Sequence, residues 1–355
     1  MKIVQIVTQM ESGGAQRVAY LLHQAFARRG HDAQLCFLYK KRPAYENESG
    51  ITCLCDHPPK ALDYVRIFKA LRNWIHRFQP DAVVTHTHYA NILGLTVARF
   101  AGVKIRIAVQ HSPVQTFPGT SQYADWLCGN SGMYTNQVAV SDAVVKSMET
   151  YPPRYRRLVR RIYNGIEMGA GQAQKANLEA ALPNARPRIL HVGRFAAPKN
   201  HDALLEVLTR TPGAHLVLVG DGERKDEVKR RVLSMNLHDR VTFLGEICPE
   251  GVRAAMRSCD LFLFPSTYEA MPMALLEAMA AGMPIVASDI PANRELLEGA
   301  GLLREPDPEQ LSRATKNLLA DSAFSSELGK RAAERASKFT VAAMAEGYEQ
   351  ILQGS

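Results

Sequence analysis

The chain contains no Cys-x-x-Cys pair and no histidine spacing that would build a zinc site. Its six cysteines, Cys36, Cys53, Cys55, Cys128, Cys248 and Cys259, therefore read as buried reduced thiols, which leaves no dithiol redox or structural-metal role. No apolar run approaches the roughly 20 residues that span a bilayer. The amino-terminal MKIVQIVTQ supplies a short apolar strand rather than a signal-peptide core, so a cytoplasmic protein is expected. Gly220-Asp221-Gly222-Glu223 begins like a dinucleotide fingerprint, but Lys225 stands where the third glycine belongs, and this weakens a nicotinamide-cofactor reading. The net charge is +8, yet no recognised nucleic-acid motif accompanies it, and nucleic acid is not an expected partner. Nor is disorder indicated: 46% hydrophobic and 22% charged residues are globular composition, and 355 residues fit two domains.

What is present is strand and helix in alternation, twice. Ile3–Val7, Gln34–Leu38, Ala82–Thr85, Ile105–Val109 and Gln137–Val140 read as buried strands, with helical stretches such as Gln16–Arg29 between them. Gly169 to Pro187, rich in Ala, Gly, Gln and Asn, is the best linker candidate. The pattern then restarts with Arg188–Val192, His215–Val219, Arg240–Leu244, Leu261–Phe264 and Ile285–Ala287. Two doubly wound α/β domains with parallel sheets are expected, with a ligand cleft between their strand ends.

The most informative stretch runs from Leu261 to Ser288. Leu261–Phe264 has strand length and is punctuated by Pro265, Ser266 and Thr267; Pro272 suits the first turn of a helix of roughly three turns that ends before Gly282 and Pro284. Glu269 then lies on a loop at the carboxyl end of a strand, where open α/β sheets bind ligands, and Glu277 lies in the helix behind it. The first-turn N–H groups can hold a phosphate while the carboxylates accept hydroxyl protons on either side of it. That is the outline of a nucleotide-sugar. Two glutamates at this spacing are by themselves more often a loop acid and a helix-face acid. Glu277, however, interrupts the apolar segment Met271 to Ala287, and a buried acid needs a partner.

Three further places carry the same chemistry. Gly13 and Gly14 follow the first strand and open a helix, where the backbone can approach a ligand, although any βα turn can carry glycines. Arg194 and Lys199 lie on the loop after Arg188–Val192 and can pinch a diphosphate from two sides, against the plainer reading of a solvated basic loop. His111, in Gln110-His111-Ser112, follows a strand of the first half; a lone loop histidine is more often structural.

Together these residues resemble the retaining GT-B glycosyltransferases of family four. The run from Tyr268 to Ala287 looks like that family's E-x7-E region, and the likeness continues in Gly193-Arg194 with Lys199, Gly13-Gly14, His86-Thr87-His88, Val140-Ser141 and Tyr163-Asn164-Gly165-Ile166. The matches occur in family order from residue 3 to about 300. The resemblance implies a GT-B fold of two Rossmann-like domains. Residues 1–168 would form the acceptor-side domain, with a C-terminal helix at about 338–355 packing back on it, and 169–337 the nucleotide-sugar domain. It implies that Arg194 and Lys199 hold the donor diphosphate, that Glu277 binds the ribose hydroxyls, and that Glu269 binds the donor sugar near its C3 hydroxyl. The amides of Met271 and Met273 would contact sugar and phosphate, Gly13 and Gly14 would close over the diphosphate, and His111 would contact the sugar C6 hydroxyl. Ala270 departs from the glycine common in the family; if that residue needs positive φ, its methyl adds strain.

The reaction so implied moves a sugar from a nucleotide-sugar, a UDP-sugar in preference to GDP-mannose, to a hydroxyl acceptor in bacterial cell-surface polysaccharide or glycolipid assembly. Arg194, Lys199 and the helix amino end would stabilise the leaving diphosphate. No Asp-x-Asp occurs in the chain, so neither a metal nor another cofactor is expected. A nucleotide-sugar epimerase, a phosphorylase or a non-catalytic nucleotide-sugar-binding module remain the alternatives.

The charge is unevenly divided. Residues 1–168 hold 21 Lys plus Arg against 11 Asp plus Glu, and residues 169–355 hold 22 against 24. An anionic or lipid-linked acceptor, or an anionic membrane surface on the inner face of the cell membrane, is the partner this suggests for the first half. Arg66, Lys69, Arg72 and Arg77 alternate with Val65, Ile67, Phe68, Leu71, Trp74, Ile75 and Phe78 at helical spacing, and Arg154, Arg156, Arg157, Arg160 and Arg161 form a second cluster. The plainer account is a helix that buries its apolar stripe and solvates its charges.

Overall fold

Short runs of Val, Ile, Leu and Phe, too brief for helices and buried on both sides, become the strands of two parallel sheets. The computed structural model describes residues 1–46, 48–168, 182 and 184–354. The expected linker, 169–187, lies mostly outside them. Two compact units are formed, Met1–Gly165 with Thr340–Ser355, and Ile166–Phe339.

In the first unit the strands are β1 (Lys2–Met10), β2 (Asp32–Lys40), β3 (Ile51–Cys53), β4 (Ala82–His86), β5 (Ile105–Gln110), β6 (Asn136–Ala139) and β7 (Val159–Arg161). Their order is β3-β2-β1-β4-β5-β6-β7, all neighbours parallel. In the second, β8 (Arg188–Val192), β9 (His215–Val219), β10 (Val241–Gly245), β11 (Leu261–Phe264), β12 (Ile285–Ser288) and β13 (Leu302–Arg304) run in the order β10-β9-β8-β11-β12-β13. Each order reverses direction once, between β1 and β4 and between β8 and β11, and each reversal is a topological switch point. Both units are therefore doubly wound, as the alternation of elements implied.

The differences from the sequence reading are local. The edge strands β3, β7 and β13 were not expected, because three residues of mixed polarity carry no period that separates them from loop. The helix after Glu269 spans Met273–Ala280, about two turns rather than three, with Pro272 as its N-cap. All six cysteines are unpaired thiols, but only Cys36 is buried and Cys248 is exposed, so burial does not account for the set.

The chain passes between units twice, and the two passes lie side by side. Ile166 N–H donates to the Phe339 carbonyl at 2.9 Å. A Cβ at Gly165 would come within 2.5 Å of the Thr340 carbonyl oxygen, so only glycine fits there. The helix Val341–Gln353 then packs on the helix Gly14–Arg28: Phe26 meets Tyr348 edge-on at 6.3 Å and Arg29 pairs with Glu349 at 2.7 Å.

Candidate functional site

In the second unit the candidate residues gather at the β8/β11 switch point. The loop after β8 carries Arg194 and Lys199, and the loop after β11 carries Glu269. Backbone contacts sew the two loops together: Thr267 N–H donates to the Pro198 carbonyl at 2.8 Å, and Asn200 Nδ2 to the Pro265 carbonyl at 3.3 Å. Lys199 Nζ lies 2.5 Å from Glu269 Oε1 and 4.9 Å from the centre of the Phe264 ring. Arg194 is exposed.

The glycine-rich turn after β9, which opened like a dinucleotide fingerprint, is spent on packing. Gly220 adopts φ +130°, and a Cβ there would lie 2.1 Å from the Gly193 carbonyl oxygen. A Cβ at Gly222 would sit 2.6 Å from the Phe195 carbonyl oxygen. Phe195 N–H donates to Asp221 O at 3.0 Å and Arg224 N–H to Phe195 O at 2.9 Å. The two glycines thus let one loop support the other, and no third glycine is required.

Behind the basic loop stand His191 and His201, both buried. His191 Nδ1 donates to the Leu263 carbonyl at 3.0 Å, and the His201 ring stacks on Phe195 at 4.3 Å. Burial holds the His191 imidazole well below its ordinary pKa, with nearby His201 adding to the effect, and pulls His201 down to about 4. Both are neutral at pH 7. The sequence reading missed these two; their only signal was histidine in an otherwise apolar strand and helix start.

The helix Met273–Ala280 has Pro272 as its N-cap, whose side chain makes no cap hydrogen bond, and its first turn presents the positive end of the helix dipole. Met271, just before the helix, and Met273, its first residue, are buried, and Glu277 lies about one turn in and is partly buried. Ala270 is not among the positive-φ residues, so its methyl adds no left-handed strain and the doubt attached to it is removed.

In the first unit, Gly13 is the N-cap of the helix Gly14–Arg28 in extended conformation, three residues past the end of β1, and Gly14 is exposed. His111 follows β5. His86 Nε2 faces Gln5 Oε1 at 2.9 Å and His86 Nδ1 faces His111 Nε2 at 3.1 Å. With the amide so oriented, His86 donates to Gln5 and accepts from His111, which leaves a lone pair on His111 Nδ1. Desolvation lowers the His111 pKa to about 4 and holds His86 well below its ordinary value, with His111 adding to the latter. His88 is not a free ligand candidate: its Nε2 donates to the Ser121 carbonyl at 3.0 Å and its ring stacks on Phe117.

Between these histidines Thr87 has φ +76°, which is strained for a β-branched residue. Its hydroxyl holds Thr8, 2.7 Å from Thr8 Oγ1 and accepting from Thr8 N–H at 3.2 Å, so β1 pins the turn after β4 at the switch point. No sequence signal marks this strain. Ser141 of the Val140-Ser141 match is a helix N-cap, its Oγ accepting from Val144 N–H at 3.3 Å.

Two doubly wound units, each with its conspicuous polar groups at the carboxyl edge of its sheet, are the architecture of the GT-B glycosyltransferases. Residues 12–169 match the model of Glycosyltransferase Family 4 and residues 174–338 that of Glycosyl transferases group 1, and the chain belongs to this GT-B family. The solved structure of HepE (Alr3699) from Anabaena, in complex with UDP and glucose, superposes with a TM-score of 0.88 over 100% of both chains at 20% identity, which shows the fold. The lipopolysaccharide core biosynthesis glycosyltransferase LpsE of Rhizobium meliloti (strain 1021) is 28% identical over 203 residues, 56% of this chain and 58% of that one. EpsF of Bacillus subtilis (strain 168) is 29% identical over 323 residues, 81% of this chain and 79% of that one.

Proposed function

We propose that the protein is a retaining glycosyltransferase that moves a hexosyl or N-acetylhexosaminyl group from a nucleotide-sugar to an acceptor hydroxyl in polysaccharide or glycolipid assembly. The observation that carries this is the Lys199–Glu269 pair at the β8/β11 switch point, with the helix Met273–Ala280 following on the same loop. A cation and a helix amino end suit a diphosphate, and a carboxylate one loop away suits sugar hydroxyls. In the reaction the bond from sugar C1 to the β-phosphate oxygen breaks with its electron pair on that oxygen. The acceptor oxygen bonds C1, and its proton passes to the leaving phosphate. Lys199, Arg194 and the helix end stabilise the charge that develops there. A UDP-sugar is preferred over GDP-mannose, in keeping with the UDP in the HepE complex. The reaction is proposed to need no metal, on the ground that the sequence has no Asp-x-Asp to clamp one against the diphosphate.

The test is calorimetric titration of UDP and GDP with a chelator present, followed by a donor panel with NMR assignment of the product anomer. One nucleotide should bind, and Lys199→Ala should weaken it by about one to two decades, the equivalent of a charge-assisted contact of roughly 1.5–3 kcal/mol. Loss of binding on chelation, or release of an epimerised nucleotide-sugar without acceptor, counts against the proposal.

The acceptor is proposed to be lipid-linked and reached at an anionic membrane surface. No helix among the described residues is long and apolar enough to cross a membrane. The helix Ala61–Phe78 buries Ile67, Leu71 and Ile75 but leaves Leu62 80% and Val65 55% exposed beside Arg66, Lys69 and Arg72. Apolar residues outward among cations suit the interface of an anionic bilayer. The second basic cluster is no single helix: Arg154 and Arg156 lie on a short turn, and Arg160 and Arg161 on β7, an edge strand whose charges also discourage pairing with another chain. Binding to anionic vesicles should exceed binding to neutral ones and fall with salt, since exposed charges lose reach beyond a Debye length of roughly 10 Å at 0.1 M. Equal binding to both sinks this part.

A further inference from the structure

Lys199 and Glu269, which the proposed reaction assigns to different ends of the donor, hold each other. Their charged atoms are 2.5 Å apart and their side chains only 19% and 12% exposed. The contacts of Thr267 with Pro198 and of Asn200 with Pro265 tie the two loops together and keep the pair within reach of each other. We propose that Glu269 is an internal competitor for Lys199, yielding it to a nucleotide-sugar and reclaiming it from the spent nucleotide, and so promotes product release. This rests on the reading that Lys199 binds the diphosphate and Glu269 the sugar.

The two charges are compensated differently in three states. In the empty site each charge compensates the other. When a nucleotide-sugar binds, the ammonium turns to the diphosphate and the carboxylate accepts sugar hydroxyls, so neither nearly buried charge is left without partners. After transfer the sugar has gone to the acceptor, and once the proton taken from the acceptor is lost to solvent the diphosphate carries one more negative charge. Glu269 has lost its hydroxyl donors while Lys199, its partner in the empty site, is still turned to the diphosphate. A carboxylate in that position is costly, and the cost falls on the nucleoside diphosphate complex alone. The pair therefore lowers affinity for the product without lowering affinity for the donor equally. Product release limits many enzymes, and an internal competitor acts on that step.

The test is a double-mutant cycle on the full chain, read by calorimetric titration of UDP and GDP, with melting temperatures to confirm that each variant folds. Glu269→Gln should bind the preferred nucleoside diphosphate roughly tenfold more tightly than the unaltered protein, while kcat falls. In the Lys199→Ala background the same change should alter affinity less than about twofold, because there is no ammonium to compete for. Unchanged or weaker nucleotide binding by Glu269→Gln overturns the proposal. So does tightening of equal size in both backgrounds, which would reflect removal of a negative charge rather than release of Lys199. If Lys199→Ala binds the nucleotide as well as the unaltered protein does, the diphosphate reading itself fails and this proposal falls with it, an outcome visible before the Glu269 variants are compared.

Discussion

At the scale of single residues, four desolvated histidines set a pH dependence with a definite sign. His86, His111, His191 and His201 all have lowered pKa values in the folded chain, with His111 and His201 at about 4. Between the folded value and the ordinary 6.5, the unfolded chain binds more protons, so stability rises with pH there and is lost as pH falls. Each of the two reaching about 4 can withdraw up to ~3 kcal/mol, fully only below about pH 4. Urea midpoints measured from pH 7.5 to 4.5 should fall steadily, and His201→Leu, which keeps the contact with Phe195 without the titration, should flatten the slope. No change of slope would contradict the assignment. Because His111 stays neutral, kcat/KM should show no inflection near pH 6.5 from it. Thr87 offers a separate test: Thr87→Val keeps the shape and the strain but removes both contacts to Thr8, and should lower stability by about 1–3 kcal/mol in denaturant titrations.

At the scale of elements, the short turn that bears Arg154 and Arg156 is anchored by the buried Tyr155 between them. Tyr155 donates to Asp125 Oδ2 at 2.7 Å, and Asp125 also accepts from Tyr134 at 3.0 Å and Gln110 at 3.1 Å. Burial raises the Asp125 pKa against the lowering pull of those donors. Its titration therefore opposes that of the histidines, its contribution being lost as pH rises through the folded value. The ring of Tyr155 fills the space in front of Gly129, where a Cβ would lie 2.2 Å from it. Gly129→Ala should therefore destabilise the first unit by about 1–3 kcal/mol, since an overfilled core forces a backbone shift, and Tyr155→Phe should cost a similar amount by orphaning part of the carboxylate. Thermal unfolding checks both. If the arginines face a membrane, Gly129→Ala should also weaken binding to anionic vesicles.

At the scale of the whole molecule, the C-terminal helix belongs to the unit that the chain begins with. Phe26, Tyr348 and the Arg29–Glu349 pair tie it to the helix Gly14–Arg28. Truncation after Phe339 should lower the unfolding temperature of Met1–Gly165 while leaving nucleotide binding by Ile166–Phe339 largely intact. Calorimetry showing both transitions displaced alike would mean that the units do not unfold separately.

Much of this was legible in the residues themselves. Apolar runs of four or five residues separated by helical periods dictate parallel strands with covered faces, because such strands bury both sides and need no alternation; β8, β9 and β11 were located to the residue on that basis. The E-x7-E run marked Glu269 and Glu277, since a carboxylate after a strand and another inside an apolar helix are unusual locally. Three-residue edge strands escaped because their pairing is supplied by a neighbour distant in the chain. Equally invisible was what depends on contacts between separate loops. Lys199 and Glu269 are 70 residues apart, and only the crossover that sets β8 beside β11 makes them partners. The same holds for Gln5, His86 and His111, one from each of β1, β4 and the end of β5, and for Thr87, whose strain is held in place by Thr8. Local sequence fixes which elements form, because propensity and burial pattern act within a few residues. Which charges meet, and which histidines lose their water, is decided by the packing of elements that the sequence keeps apart.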